Sequence, residues 1–401
     1  VSGETALATA AEAISALSEA ELANGALKAV AGPMADAETL MAVKDLVNSL
    51  GSENTVHEDG AALSADLRPN YVFNTTIEAL EEADALLLVG AVPRVEAAII
   101  NTRIRKALRN YDLLDIGYIG AEGAQLTYDY DHLGSDLAAL KALADGTSPF
   151  ADAMAKAERP VVVVGKGAWA GKDAAALPGL LAQLADKYPH LKVSSESSWA
   201  GINMLHTDAS RVGALDVGFV PGVGADKAPA KVVYLVGADD YDPASIPDDA
   251  FVIYQGSHGD AGASRANVIL PGAAYTEKTA TYVNTEGRVQ RTRRAAPTPG
   301  HARPDWAIPR ALSEVVGKPL PYATAEEVQA RLFAVAPHMA VPDTPPFASA
   351  AISDLAFDAM RAATSNGALN TPIELVIDNF YQNDAISRAS PVMARCTTSF
   401  G

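Results

Sequence analysis

The chain has 401 residues, of which 49% are hydrophobic and 20% are charged, a composition typical of a globular protein with enough residues for two or three domains. Its formal net charge of -18 would repel nucleic-acid phosphates and anionic lipid surfaces, so neither is expected as a direct partner. The single cysteine, Cys396, excludes an internal disulfide and any cluster ligated by several cysteines of this chain alone.

Short β-rich runs alternate with helical stretches along the chain, and this alternation predicts βαβ units in largely parallel sheets. The fold class is therefore α/β. The first predicted strands are residues 27–31, 84–89 and 115–119. The first predicted helix begins at residue 37 and is stopped by Gly51, and the second covers residues 95–108. The apolar runs are far shorter than the roughly 20 residues of a membrane-spanning helix.

A cluster of Gly, Ser and Pro at residues 146–150 predicts a boundary between two lobes. Beyond it, the predicted strands are 160–164, 192–195, 232–236, 251–254 and 267–270, followed by a hairpin over 281–290 and helices over 306–316 and 326–335. We therefore predict a first α/β lobe over residues 1–147, a second over 148–336 and a loop-rich C-terminal extension over 337–401.

The sharpest local motif lies at residues 165–170, directly after a predicted strand, and fits the G-x-G-x-x-A form of a dinucleotide-binding turn. Two features argue against that interpretation: bulky Trp169 lies inside the turn, and the acidic candidate Glu196 lies thirty-one residues after Gly165. Small residues are needed at any tight exit from a strand. An NAD-dependent dehydrogenase that uses Gly165 and Gly167 is kept as an alternative.

The seven histidines lie at positions 57, 132, 190, 206, 258, 301 and 338, without the spacing of a zinc-binding pair. Ser257, His258 and Asp260 could form a hydrolase-like constellation, but three neighbours in sequence rarely face one another, and a solvated loop is favoured.

Arg288, Arg291, Arg293 and Arg294 form a basic patch beside Glu277 and Glu286. This patch predicts either an interface for a partner subunit or an intrachain salt-bridge network, and both interpretations stay open. We assign no catalytic, cofactor-binding or metal-ligating residue to the chain.

Several long segments resemble one family, the large iron–sulfur subunit of respiratory complex I. They are residues 66–71, 74–76, 81–90, 101–106, 130–134, 253–260, 267–278 and 280–289, with 384 and 386–390 near the end. The resemblance implies a molybdopterin oxidoreductase-like fold without its molybdenum cofactor: two Rossmann-like lobes with largely parallel sheets, and a C-terminal tail.

The resemblance also implies a scaffolding role in electron transfer from NADH to ubiquinone, with no active site in this chain. The 2Fe-2S and 4Fe-4S clusters are expected in a missing N-terminal portion or a separate chain, in keeping with a first residue, Val1, that is not Met. The expected partners are that portion, the flavoprotein and other peripheral-arm subunits, at the matrix side of the mitochondrial inner membrane. A working molybdopterin-dependent oxidoreductase fragment remains the main alternative.

Overall fold

A computed structural model of the protein describes residues 2–61, 63–111, 115–222, 224–344, 347–363 and 367–400. Two five-stranded sheets form its framework, and every strand pair in both sheets is parallel. The strands are β1 (Leu27–Ala31), β2 (Asn54–His57), β3 (Ala85–Val89), β4 (Asp115–Ile119), β5 (Asp131–Gly134), β6 (Pro160–Val164), β7 (Ile202–Met204), β8 (Val232–Val236), β9 (Phe251–Gly256), β10 (Val268–Pro271), β11 (Thr281–Val283) and β12 (Val289–Arg291).

Helices cover both faces of the two sheets. They are α1 (Gly3–Ser15), α2 (Glu19–Ala23), α3 (Ala37–Ser49), α4 (Pro93–Glu96), α5 (Ala98–Tyr111), α6 (Leu137–Ala144), α7 (Ala151–Lys156), α8 (Lys166–Trp169), α9 (Leu177–Lys187), α10 (Arg211–Asp216), α11 (Ala261–Arg265), α12 (Ala307–Val315), α13 (Ala325–Val335), α14 (Ala350–Ala362), α15 (Ala385–Arg388) and α16 (Pro391–Phe400). None of the helices in the described ranges is long and apolar enough to cross a lipid bilayer.

The first sheet has the strand order β10-β9-β8-β1-β2, and the second has the order β5-β4-β3-β6-β7. The central strands β3, β6 and β8 are buried along their whole length, since apolar residues point to both covered faces. The α/β class and the parallel sheets predicted from the sequence are confirmed.

The predicted boundary between residues 147 and 148 is wrong. Strand β6, which lies after it, pairs with β3 through Val89 and Val164, so the boundary divides the second sheet. The first sheet is assembled from both predicted lobes, because β1 pairs with β8. The Gly-Ser-Pro cluster is the turn from α6 to α7, where Gly146 has a φ of 77°.

Most strands lie where the sequence predicts them, but β2, β5 and β7 do not. The predicted strand at 192–195 is wrong: Ser194 and Ser195 are exposed, and the strand of this region is β7, which begins at Ile202. Strand β2 lies after the helix that stops at Gly51, in a segment for which the sequence predicts no strand. The hairpin β11-β12 is confirmed, with Gly287 at a φ of 78°. The C-terminal extension contains more helix than predicted, including the thirteen residues of α14.

Candidate functional site

The carboxyl ends of both sheets face one cavity of about 510 Å³. Open parallel sheets bind ligands at this edge, because the loops that leave successive strands meet there. The lining includes residues that follow β1, β2, β6, β7 and β8, namely Pro33, Met34, Glu58, Asp59, Lys166, Thr207, Asp208, Ala209 and Asp240. This is the candidate site of the fold.

The C-terminal segment forms the remaining wall of the cavity. Its contribution is Val376, Ile377, Asp378, Asn379, Gln382, Asn383, Asp384 and Arg388. Arg388 donates to Asp260 at 2.5 Å and to Asp240 at 2.8 Å, so this wall is fixed to the loops after β8 and β9. The sequence predicts this segment as part of the loop-rich C-terminal extension.

A buried ion pair lies at the base of the cavity. The fully buried carboxylate of Asp59 is 2.9 Å from Nε of Arg211 and 3.0 Å from Nδ1 of His57, whose Nε2 is 2.9 Å from the Ser210 hydroxyl. Burial alone would raise the pKa of Asp59, but the His57 hydrogen bond and the Arg211 charge hold that pKa well below its ordinary value. The pair joins the loop after β2 to α10.

Glu58 is a buried carboxyl, and no cationic group among the described residues lies at hydrogen-bond distance from it. Burial raises its pKa to about 8, although the backbone N–H groups of Asp239 and Asp240 donate to it at 2.9 and 3.1 Å. The side chain is therefore largely protonated at neutral pH and fixes the turn after β8.

His57, Asp59 and Asp208 offer ligand atoms that lie within 4.8 Å of one another. The charge of this group is already balanced, since Arg211 faces Asp59 and Nζ of Lys166 is 3.4 Å from Asp208. A bound cation would compete with both pairs, so the arrangement fits internal ion pairing better than metal binding. Sequence analysis missed this group; the available signal was that each residue lies at or shortly after a strand end.

A second buried cluster lies beside β9. Lys278 contacts Asp36 at 2.6 Å and Asp305 at 2.5 Å, and the amide of Gln255 donates to the Asp305 backbone oxygen at 2.9 Å. Burial opposes the charge of Lys278, but the two carboxylates raise its pKa above the ordinary value. The cluster anchors the hairpin segment to the carboxyl edge of the first sheet.

The glycine turn after β6 is packed against the protein's own backbone. A Cβ on Gly165 would lie 2.3 Å from the carbonyl oxygen of Gly90, and one on Gly167 would lie 2.7 Å from that of Glu374. Trp169 is buried and donates Nε1 to Leu205 at 3.0 Å. The space where a dinucleotide pyrophosphate would sit is therefore filled by neighbouring chain, and Glu196 is exposed in a loop.

The other two constellations make contacts within the chain. Ser257 Oγ is 3.0 Å from Nδ1 of His258, but Asp260 is paired with Arg388 and does not complete a catalytic triad. In the basic patch, Arg288 pairs with Glu286 at 2.7 Å. Two other patch residues donate to backbone carbonyls, Arg291 to Met339 at 3.1 Å and Arg294 to Ala296 at 3.0 Å. These contacts support the intrachain interpretation of the patch.

Two family models match the chain. The molybdopterin oxidoreductase model covers residues 1–315, and a model for the C-terminal region of an NADH-ubiquinone oxidoreductase subunit covers residues 345–396.

The chain is 46% identical over 382 residues to the mitochondrial NADH-ubiquinone oxidoreductase 78 kDa subunit of Candida albicans, covering 94% of this chain and 52% of the relative. It is 43% identical over 398 residues to the mitochondrial NADH dehydrogenase [ubiquinone] iron-sulfur protein 1 of Solanum tuberosum, covering 99% and 52%. The chain spans about half the length of the curated relatives it matches.

Two solved structures share the fold at low sequence identity. The formyltransferase/hydrolase complex of Methylorubrum extorquens aligns with a TM-score of 0.52 at 16% identity, over 79% of this chain and 97% of the other. Acetylene hydratase of Pelobacter acetylenicus aligns with a TM-score of 0.51 at 11% identity, over 79% and 59%. These likenesses concern the fold alone.

Replacing Glu58 by Gln should remove a pH-dependent loss of stability. The folded protein holds the Glu58 proton up to about pH 8, whereas the unfolded chain releases it near the ordinary value of 4.5. The free energy of unfolding of the parent protein should therefore fall, by up to about 1.4 kcal/mol per pH unit, between these two values. Urea unfolding at pH 5 and pH 8 should show a smaller fall for Glu58→Gln; equal falls in both proteins would contradict the assignment. Glu12→Gln, on the exposed face of α1, is the control.

Replacing Gly167 by Ala should destabilise the protein by about 1–3 kcal/mol, because the new methyl group overpacks against the Glu374 carbonyl. Gly3→Ala in α1 is the matched control, since a Cβ there meets nothing within 4 Å. Thermal unfolding measures the difference. Calorimetric titration with NAD⁺ separates the alternatives: binding by the parent chain that Gly167→Ala abolishes would support the dehydrogenase interpretation and contradict ours.

Proposed function

Because this chain belongs to the molybdopterin oxidoreductase family and matches mitochondrial complex I subunits along nearly its whole length, we propose that it is a scaffolding part of the iron–sulfur subunit of respiratory complex I. In this role it supports electron transfer from NADH to ubiquinone and has no active site of its own. The observation that carries the proposal is the identity of 43–46% to these subunits over 94–99% of the chain.

The cavity does not fit the anionic, phosphate-bearing molybdopterin that the family name implies. Its lining carries six carboxyl groups, those of Glu58, Asp59, Asp208, Asp240, Asp378 and Asp384, against two cations, Lys166 and Arg388. Both cations are already paired with carboxylates, Lys166 with Asp208 at 3.4 Å and Arg388 with Asp240 at 2.8 Å. An anionic cofactor would meet unfavourable charge on most sides, even with Glu58 protonated.

The number of cysteines supports a role in which residues outside this chain hold the redox centres. Iron–sulfur clusters are normally ligated by four cysteine thiolates, or by two with two histidines, and this chain has Cys396 alone. We therefore place the 2Fe-2S and 4Fe-4S clusters of the proposed assembly outside these 401 residues. This chain would contribute a rigid body that orients the cluster-bearing part, since electron transfer depends on fixed distances between centres.

Ion pairs within the chain, at the carboxyl edge of the sheets, agree with the role of a rigid body. The contacts of Asp59 with Arg211 and of Lys278 with Asp36 and Asp305 are buried, and the first two pairs join segments distant in sequence. Breaking one partner of a buried pair costs about 3–5 kcal/mol, so these contacts resist relative movement of the elements they join.

The proposed location is the matrix side of the mitochondrial inner membrane, in the peripheral arm. Both relatives are named as mitochondrial proteins, and the net charge of -18 agrees with a body held away from anionic lipid. The proposed partners are the cluster-bearing portion, the flavoprotein and other peripheral-arm subunits.

Native gel electrophoresis of mitochondria tests the proposal directly. A tagged form of the chain should migrate in a very large assembly that stains for NADH dehydrogenase activity, and depleting the chain should lower NADH:ubiquinone activity and the amount of that assembly together. A tagged subunit of another respiratory complex is the control for nonspecific comigration. A chain that migrates as a free monomer, or whose depletion leaves NADH:ubiquinone activity unchanged, would contradict the proposal.

A further inference from the structure

Residues 371–388 begin on the second sheet. Thr371 donates its backbone N–H and its hydroxyl to Asp173 at 2.9 and 3.0 Å, and the N–H of Ile373 donates to the carbonyl of Ser135 at 2.8 Å. The side chain of Ile373 is buried in the core of that sheet and lies against the glycine turn after β6. This end of the segment is therefore held by both polar and apolar contacts.

The same segment ends on the first sheet. Arg388, in α15, bridges Asp240 after β8 and Asp260 after β9. Ile386 lines a small cleft beside Gln255 and Lys278 at the carboxyl edge. Between its two ends the segment passes over the cavity, whose wall it forms. One stretch of backbone thus connects the two sheets across the site.

The segment lies in a part of the chain that the molybdopterin oxidoreductase model does not cover. That model ends at residue 315, whereas residues 371–388 fall within the range 345–396 matched by the model for the C-terminal region of an NADH-ubiquinone oxidoreductase subunit. The segment that forms one wall of the cavity therefore lies in sequence that matches the complex I subunit model and not the general molybdopterin oxidoreductase model. The position of the segment within the complex I subunit model is an observation independent of its hydrogen bonds and ion pairs.

We propose that residues 371–388 are a strap that locks the carboxyl edges of the two sheets together, with Arg388 as its latch. Releasing the latch opens the cavity while both sheets stay folded. The two anchors differ in strength: the first end buries Ile373, which is 7% exposed, whereas the side chain of Arg388 is 30% exposed and its carboxylate partners are 44% and 39% exposed. Solvent screens the second anchor more, so the strap opens from the Arg388 end.

The contacts of the strap all lie within this chain and do not depend on its place in complex I. If the strap holds the two sheets together across the cavity as a bound cofactor does in an enzyme of this architecture, the cavity is a structural connection between the sheets. The strap then transmits a displacement of the first sheet to the second, and it acts in addition to the buried pair of Asp59 with Arg211, which joins the loop after β2 to α10.

The test measures access to the cavity with a thiol probe. In a Cys396→Ser background of the full chain, Ala209→Cys places one thiol in the cavity lining. Arg388→Gln should raise its rate of alkylation by iodoacetamide roughly three- to tenfold, the range expected when partly exposed ion pairs are removed. Arg388→Lys, which keeps the charge but not the forked contact, should give a smaller increase.

Two controls decide whether the effect belongs to the strap. Arg361, in α14, does not line the cavity; Arg361→Gln breaks its ion pairs with Asp186 of α9 and with Asp358 of α14 itself, and it should leave the alkylation rate unchanged. Hydrogen exchange of the Arg388→Gln chain, with Ala209 intact, should increase in residues 376–388 but not in β3 or β8. An unchanged alkylation rate, an equal effect of Arg361→Gln, or faster exchange spread through both sheets would each overturn the proposal.

Discussion

The structure depends on the parallel orientation of every strand in its two main sheets. Parallel strands place their carboxyl ends, and the polar loops that follow them, along a single edge, and here the two edges face one cavity. Charged side chains that gather at this edge are partly removed from water, so they need oppositely charged partners. The pairing of Asp59 with Arg211 meets that need inside the chain, and Arg388 meets it from the C-terminal segment. The same edge that holds a ligand in an enzyme is here stabilised by the protein's own groups.

The strands could be predicted because their signal is local. Val161–Val164 and Val232–Val236 are continuous apolar runs, and such runs predict buried strands wherever the rest of the sheet lies. Their grouping could not be predicted, because β1 pairs with β8 across about two hundred residues of chain, and nothing in the sequence between them records that return. The boundary at 147/148 was wrong for this reason: a Gly-Ser-Pro cluster marks a turn equally well inside a lobe and between lobes.

The candidate site was predictable only in part. The glycine motif at Gly165 is visible in the sequence, but its meaning depends on Glu374, which is more than two hundred residues away and fills the space above Gly167. The cluster of His57, Asp59 and Asp208 is likewise a product of folding. The strap was predicted as a tail because its burial rests largely on Ile373, and one buried residue leaves no periodic pattern. Similarity over long segments of the sequence identified the family, whereas short motifs did not.

We propose that this family fold serves here as a body without a molybdopterin, because the acidic lining of the cavity offers an anionic cofactor no favourable place. The most direct measurement is the molybdenum and pterin content of the purified assembly that contains the chain, by elemental analysis and by fluorescence of the oxidised pterin. We expect the molybdenum content and the pterin content both to be far below one per chain. One molybdenum and one pterin per chain would contradict it.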